Sequence, residues 1–492
     1  MDQNEVGYVV SSRNFLVNLN GFPTIKVNDM LESDNNLRGW VNTLEKDKIE
    51  VLMLDEGTIK PKQQFKKLPN HLGISVGDFL LGRAINPLGI PIDGKKLIPN
   101  PKTKLVLELD REAPGIEARR FITNQFLTGI TLIDTLIPLG KGQRELILGD
   151  AHSGKTGFLI DTVINQKNTG VICVIALIGK PAVVIRNLID ILKNNGALDY
   201  TVVVATSSSE TAPLIYLTPK SAMTIAEYFQ SKGKDVLLIL DDLGSHAKIY
   251  REIALLGNKA PGRESYPGDI FYQHAHLLER AGSFLPTFGG GSITALPVIE
   301  LNLSDFTTLI PTNLMSITDG HLMFKASLHS QGQIPAVDIS LSVSRVGRQT
   351  QDYLTNLLSA KVRQVLSEAA DLETISRFSS ELPAETQLTL KRKDLIMEIL
   401  KQEPLTTIAK PIQTILLTLP FSTFVQDKSA GQTFLLKSKD FIEKYKTTII
   451  EAFLKDPQLV PITKATNQLK TDEELIKLLN GIEPILNKIC PP

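Results

Sequence analysis

One stretch of eight residues limits what this chain can be: Gly149-Asp150-Ala151-His152-Ser153-Gly154-Lys155-Thr156. It has the spacing GxxxxGK[ST]. It stands between an apolar run, Glu145-Leu-Ile-Leu, and a stretch of helical spacing. That strand–loop–helix context is what the pattern needs in order to cradle phosphate. Glycines let the backbone close around the anion, and several N–H groups with a helix N-terminus then face it. Lys155 is placed to reach the β- and γ-phosphates, and the Thr156 hydroxyl is placed to ligate Mg²⁺. The expectation is a site for ATP or ADP.

The surroundings agree with such a loop. Val171–Ile178, Thr201-Val-Val-Val-Ala and Val236-Leu-Leu-Ile-Leu are continuous apolar runs separated by helical stretches. Strands of this kind belong in the middle of a parallel sheet covered on both faces. The third run ends in Asp241-Asp242. A carboxylate at the carboxyl end of a buried strand lies where open α/β sheets bind ligands. Asp241 is therefore the second expected Mg²⁺ contact, through water.

The two ends of the chain read differently. Residues 1–75 carry short β-type runs, among them Gly7-Tyr-Val-Val, Phe15-Leu-Val-Asn-Leu and Ile49-Glu-Val-Leu-Met-Leu, divided by turn signals such as Leu19-Asn-Gly-Phe. This rhythm fits a small all-β barrel or sandwich. From about residue 351 glycine becomes rare, and Leu354, Leu357, Leu358, Val362 and Val365 form a helical stripe. The expected organisation is a β-barrel over 1–75, an α/β nucleotide domain over 76–350 and a helical domain over 351–492.

Lys+Arg and Asp+Glu both total 53, so no net charge drives the chain toward nucleic acid or acidic lipid. The two cysteines, Cys173 in an apolar run and Cys490 near the end, give no disulfide framework or zinc spacing. The opening Met1-Asp-Gln-Asn-Glu has no basic or apolar leader, and no apolar run approaches bilayer length. The expected location is cytoplasmic, with any membrane link made through partners. His274 and His276 are two apart and diverge on a helix, which argues against a metal pair.

Longer motifs carry a resemblance. Leu139-Gly-Lys-Gly-Gln-Arg-Glu-Leu-Ile-Leu-Gly-Asp, Pro261-Gly-Arg-Glu-Ser-Tyr-Pro-Gly-Asp-Ile-Phe-Tyr, Leu296-Pro-Val-Ile-Glu, Ile310-Pro-Thr-Asn-Leu-Met-Ser-Ile-Thr-Asp-Gly and Leu341-Ser-Val-Ser-Arg-Val-Gly occur in order. Together they resemble the α subunits of F1-type ATPases from about residue 5 to at least 350. The resemblance implies that the α/β domain is RecA-like. It also implies a ring of three α-type and three β-type subunits around a γ-type shaft. Arg345 matches the family's arginine finger, which acts in the neighbouring catalytic subunit, and Ser342 matches a residue needed for activity. Pro335 and Gln402 match residues near the adenine.

The catalytic relatives carry a Glu in a Gly-Glu-Arg context where this chain has Gly179-Lys180-Pro181. A carboxylate there orients the attacking water, which a cation cannot do in the same way. The chain is therefore expected to be a non-catalytic partner. The family's α subunits usually carry Gln at this position, so Lys180 departs from them too. Two readings of it are open, a charge beside the γ-phosphate or a side chain facing solvent. Other departures are Ala151-His152 for the family's Arg-Gln, Ile334-Pro335 for Arg-Pro, and a shortened adenine loop, Lys401-Gln402-Glu403-Pro404. The chain also opens without the amphipathic helix by which family α subunits bind a peripheral stalk. That favours, as an alternative to ATP synthesis, a paralogous F1-like ATPase that powers transport or motility. A self-sufficient RecA-like hexameric motor is a more remote alternative.

Overall fold

In the computed structural model, the described residues are 5–45, 48–96, 105–302, 305–376, 383–422, 426–427, 434–435, 439–455, 474 and 481. Cys490, the first four residues and most of the chain beyond 455 lie outside them, as do parts of the region read as helical. The chain forms two compact units, each made of several segments. One comprises Met1–Ile122, Lys141–Ala151 and Gln166–His321; the other comprises Thr123–Gly140, His152–Asn165 and Leu322–Pro492.

The first unit opens with the barrel. Its strands are β1 (Val6–Arg13), β2 (Leu16–Gly21), β3 (Asp29–Ser33), β4 (Arg38–Glu45), β5 (Lys48–Met53) and β6 (Gln64–His71). They close in the order β1-β2-β5-β4-β3-β6, with β6 returning to β1, and every pairing is antiparallel. Alternate residues point inward, as the two-residue period of a strand requires. Val9, Val17, Leu19, Leu31, Val41, Val51 and Phe65 meet in the interior. Asn14, in the two-residue link from β1 to β2, takes φ +52°, a left-handed conformation that asparagine tolerates. At the end of β2, Gly21 has φ +104°, and an added Cβ would lie 2.8 Å from the Val6 carbonyl oxygen.

The same unit contains a parallel sheet. From one side its strands are Glu145–Asp150, Ser292–Leu301, Asp235–Asp241, Ile172–Lys180, Thr201–Ser207 and Ala84–Ile85. The apolar runs are buried as their composition demands, and Cys173 is fully buried within one of them. Arg280 is almost wholly buried. Its guanidinium meets both Glu227 oxygens at 2.7 and 2.8 Å, the Leu109 carbonyl at 2.8 Å and Thr224 Oγ1 at 3.0 Å. The fork geometry spreads the charge over several acceptors, which is what makes a buried arginine tolerable.

The second unit is organised around Asp134, also buried. Its Oδ1 accepts from the Thr128 N–H and hydroxyl, and its Oδ2 accepts from the Gly129 N–H and from Gln413 Nε2. One carboxylate thus ties the Leu127–Ile130 turn to the helix Lys410–Thr418. The other main helices are Tyr353–Ser376, Ala384–Leu400 and Lys439–Lys455. Leu354, Leu358, Val362 and Val365 of the expected stripe are buried, and Leu357 is half-buried. Lys446 caps the end of Ala384–Leu400, donating to the Glu398, Ile399 and Lys401 carbonyls. A cation there complements the helix dipole, although burial pulls its pKa down to about 8.

Phe65 is fully buried at the centre of the barrel. Phe65→Ala is expected to cost about 3–5 kcal/mol, as phenylalanine deletions in cores do. Urea unfolding followed by the fluorescence of Trp40, on β4, measures it.

Candidate nucleotide site

The strand Glu145–Asp150 delivers the phosphate-binding motif at its carboxyl end, in register with Ser292–Leu301 through the pairs Gly149↔Glu300 and Asp150↔Leu301. The helix Lys155–Ile164 follows. Between them His152 and Gly154 take left-handed φ values of +57° and +90°. At Gly154 an added Cβ would meet the His329 ring at 3.4 Å. This curl is what turns successive N–H groups toward one point, the arrangement that binds anions. Ser153 and Lys155 are buried, with Lys155 Nζ 3.5 Å from Ser153 Oγ, while Ala151, His152 and Thr156 are exposed.

Two strands away from Glu145–Asp150 in the same sheet, Asp241 closes the strand Asp235–Asp241. Its neighbour is Ile172–Lys180, with Leu177 directly opposite Asp241. Lys180 therefore emerges beyond the last pair and reaches sideways. Its Nζ lies 2.8 Å from Asp241 Oδ1 and 3.1 Å from Asp242 Oδ2. Asp242 also caps the helix Leu243–Leu256, accepting from the Ser245 N–H at 2.6 Å and from its hydroxyl at 3.1 Å. Burial opposes the charge on Lys180, but the two carboxylates outweigh it and raise its pKa above the ordinary lysine value. So Lys180 does not face solvent; it is the counter-ion of the acidic pair.

In the second unit a cavity of about 120 Å³ lies along the motif helix. Gly154, Phe158 and Asp161 line it from that helix, with His329, Pro335 and Gln402 around them. Pro335 is thus brought to the same cavity as the motif helix. Gln402 borders it too, but its amide is committed elsewhere. Oε1 accepts from the Thr131 N–H and hydroxyl, and Nε2 donates to the Gly129 and Thr406 carbonyls. Both donors and both lone pairs of that amide are used, so Gln402 contributes shape to the cavity.

Ser342 and Arg345 differ in the same way. Ser342 is buried, donating to the Asp338 carbonyl at 2.6 Å and accepting from the Met323 N–H at 2.9 Å. Ser344 Oγ donates to the Pro138 carbonyl at 2.6 Å. The segment is pinned at both serines, and Arg345, next along it, is exposed.

Residues 129–344 match the family model described as ATP synthase alpha/beta family, nucleotide-binding domain. The ATP synthase subunit alpha of Mesomycoplasma hyopneumoniae (strain 7448) is 42% identical over 439 residues, covering 89% of this chain and 86% of the relative. That of Latilactobacillus sakei subsp. sakei (strain 23K) is 37% identical over 477 residues, covering 96% and 92%. The chain belongs to the ATP synthase alpha subunit family. Its fold agrees with that membership, with a six-stranded barrel, a parallel-sheet nucleotide-binding region and C-terminal helices.

The residues expected to contact Mg²⁺ are each in place in their own unit, with the Thr156 hydroxyl exposed and the Asp241 carboxylate paired with Lys180. These are the hard oxygen ligands that Mg²⁺ takes alongside nucleotide phosphates. Among the described residues, no group of three or more His, Cys, Asp or Glu side chains is arranged to hold a metal by itself. Asp241 already has a cation on Oδ1. His274 pairs instead with His246, Nε2 to Nδ1 at 3.3 Å, in a buried setting where burial depresses both pKa values. Among the described residues no helix is long and apolar enough to cross a membrane.

Sequence reasoning missed Asp161 and His329. For Asp161 a signal existed. Gly154, Phe158 and Asp161 follow the i, i+4, i+7 spacing of one helix face. His329 offered none, because it reaches Gly154 only through the fold. Asp161 Oδ1 accepts from the Leu405 N–H at 2.8 Å, and burial pushes its pKa up to about 6 against that bond. The folded chain thus keeps a proton that the unfolded chain releases near about pH 4. Between those values the folded state binds more protons, so its stability falls as pH rises. Comparing urea unfolding at about pH 4.5 and about pH 7.5, wild type is expected to lose on the order of 1 kcal/mol more than Asp161→Asn.

Proposed function

We propose that this chain is the non-catalytic, nucleotide-binding α-type subunit of an F1-like rotary ATPase, within an ATP hydrolase/synthase complex peripheral to the membrane. In this reading it alternates with a β-type catalytic subunit in a hexamer around a γ-type shaft. It works as three domains, a barrel (1–75), a RecA-like domain (76–350) and a helical domain (351–492). Gly149 to Thr156 hold the phosphates of ATP or ADP, with Pro335 and Gln402 shaping the base cavity. Thr156 and, through water, Asp241 are the expected Mg²⁺ contacts, of which Asp241 is already paired with Lys180.

The observation that carries the non-catalytic role is the pairing of Lys180 with Asp241 and Asp242. An ammonium shared between two carboxylates cannot accept a proton from water or orient it for attack, which is the part the missing carboxylate would play. Arg345 is the residue proposed to act in catalysis, in trans. Its exposure on a segment fixed by Ser342 and Ser344 suits a guanidinium offered to a neighbour's γ-phosphate. Planar, permanently charged and pre-positioned, it stabilises charge as it develops. Ser342 supports that presentation by anchoring the strand.

ATP turnover separates these roles. The chain alone is expected to be inactive, and the complex with its β-type partner active. Arg345→Ala in that complex should lower kcat by about 10³–10⁵, the range for arginine fingers. Brisk turnover by the isolated chain would overturn the non-catalytic reading.

A further inference from the structure

The acidic pair at the end of the strand Asp235–Asp241 lies at the carboxyl edge of the sheet from which the phosphate-binding loop departs. In a site of this kind a divalent cation normally settles two sources of negative charge, the strand-end carboxylate and the phosphates. In this chain one source is already settled. Lys180 Nζ sits 2.8 Å from Asp241 and 3.1 Å from Asp242, and the three side chains are between 12% and 22% exposed. Asp242 takes two further hydrogen bonds from Ser245. The cation is covalently part of the strand, so its position is set by the register of Leu177 on Asp241 and not by the solution.

We propose that Lys180 is a built-in counter-cation that makes nucleotide binding by this chain nearly independent of Mg²⁺. The proposal rests on the nucleotide-binding reading given above and adds to it a cofactor requirement. Two electrostatic consequences follow. A metal ion approaching Asp241 meets a fixed positive charge on the carboxylate it would use, and like charges at that range in a partly buried setting repel strongly. A polyphosphate approaching the same edge meets one net negative charge from the three groups in place of two. It therefore needs less help from a dissolved cation. Lysine suits this duty because its compact ammonium can donate hydrogen bonds to both carboxylates at once.

The test is equilibrium dialysis of radiolabelled ATP with the full chain, in MgCl₂ and in EDTA. For wild type the two Kd values are expected to agree within about threefold, and for Lys180→Gln binding should weaken about tenfold or more in EDTA. A wild-type loss of about tenfold in EDTA overturns the proposal, and so does a Lys180→Gln chain as indifferent to Mg²⁺ as wild type. The wild-type comparison needs no variant, so a misfolded Lys180→Gln, detected by circular dichroism, leaves it decisive. Mn²⁺ uptake by the nucleotide-free chain, followed by the electron paramagnetic resonance signal of free Mn²⁺, separates the two layers. If neither condition gives ATP binding, the nucleotide-binding reading fails, and Mn²⁺ still judges Lys180. Stronger Mn²⁺ uptake by Lys180→Gln than by wild type supports the counter-cation, and equal uptake overturns it.

Discussion

Two carboxylates in succession at the end of a buried strand repel each other, and a counter-charge beside them relieves that repulsion. Everything at the ligand edge of the sheet follows from how that repulsion is met. Asp242 is partly answered by the first turn of the helix that follows, through Ser245. The remainder falls to Lys180, whose strand runs alongside and ends three residues beyond the pair Leu177–Asp241. Because both strands are apolar and fully buried elsewhere, neither can slide to relieve or alter this contact. The sheet core and the electrostatics of its edge are therefore one construction, and the charge at the edge is as fixed as the strand register.

The second unit answers buried polarity differently. Asp134 bonds to Thr128 and Gly129 nearby and to the Gln413 amide far along the chain, and Gln402 bonds to Thr131 and Gly129 far away and to Thr406 nearby. Lys446 donates to the carbonyls that end a helix just before Gln402. These contacts join a turn near residue 130, the loop near 402 and the helix Lys439–Lys455, and Ile130 and Gln402 of the first two border the cavity beside the motif helix. A polar network of this type favours one arrangement, because a slip strands further buried donors or acceptors.

Much of this was legible in the sequence, and the limit has a physical cause. The motif from Gly149 to Thr156, the apolar strands and the stripe on the helix from Tyr353 depend on local spacing, which one chain displays directly. The closed barrel and the parallel sheet follow from strand composition and rhythm. Lys180 was legible as a departure from the residues its relatives carry there, but its partners depend on strand register and on the reach of a flexible four-carbon stem. Gln402 borders the cavity beside the motif helix, yet its amide is used up by Thr131, Gly129 and Thr406, the first two some 271 and 273 residues away. Asp161 was readable by helical spacing from Gly154, whereas His329 depended on long-range packing alone.

The closed barrel has a consequence for how this chain meets others. A sheet with free edges invites a neighbour to add a strand, which joins chains through unspecific backbone bonds. With β6 paired to β1, this barrel offers no such edge. Any subunit that abuts it must be recognised by side chains, such as the exposed Tyr8 and Val10 on the outside of β1. Recognition there is written residue by residue, so chains sharing this backbone can differ in whom they accept, and the barrel cannot zip into an open-ended sheet.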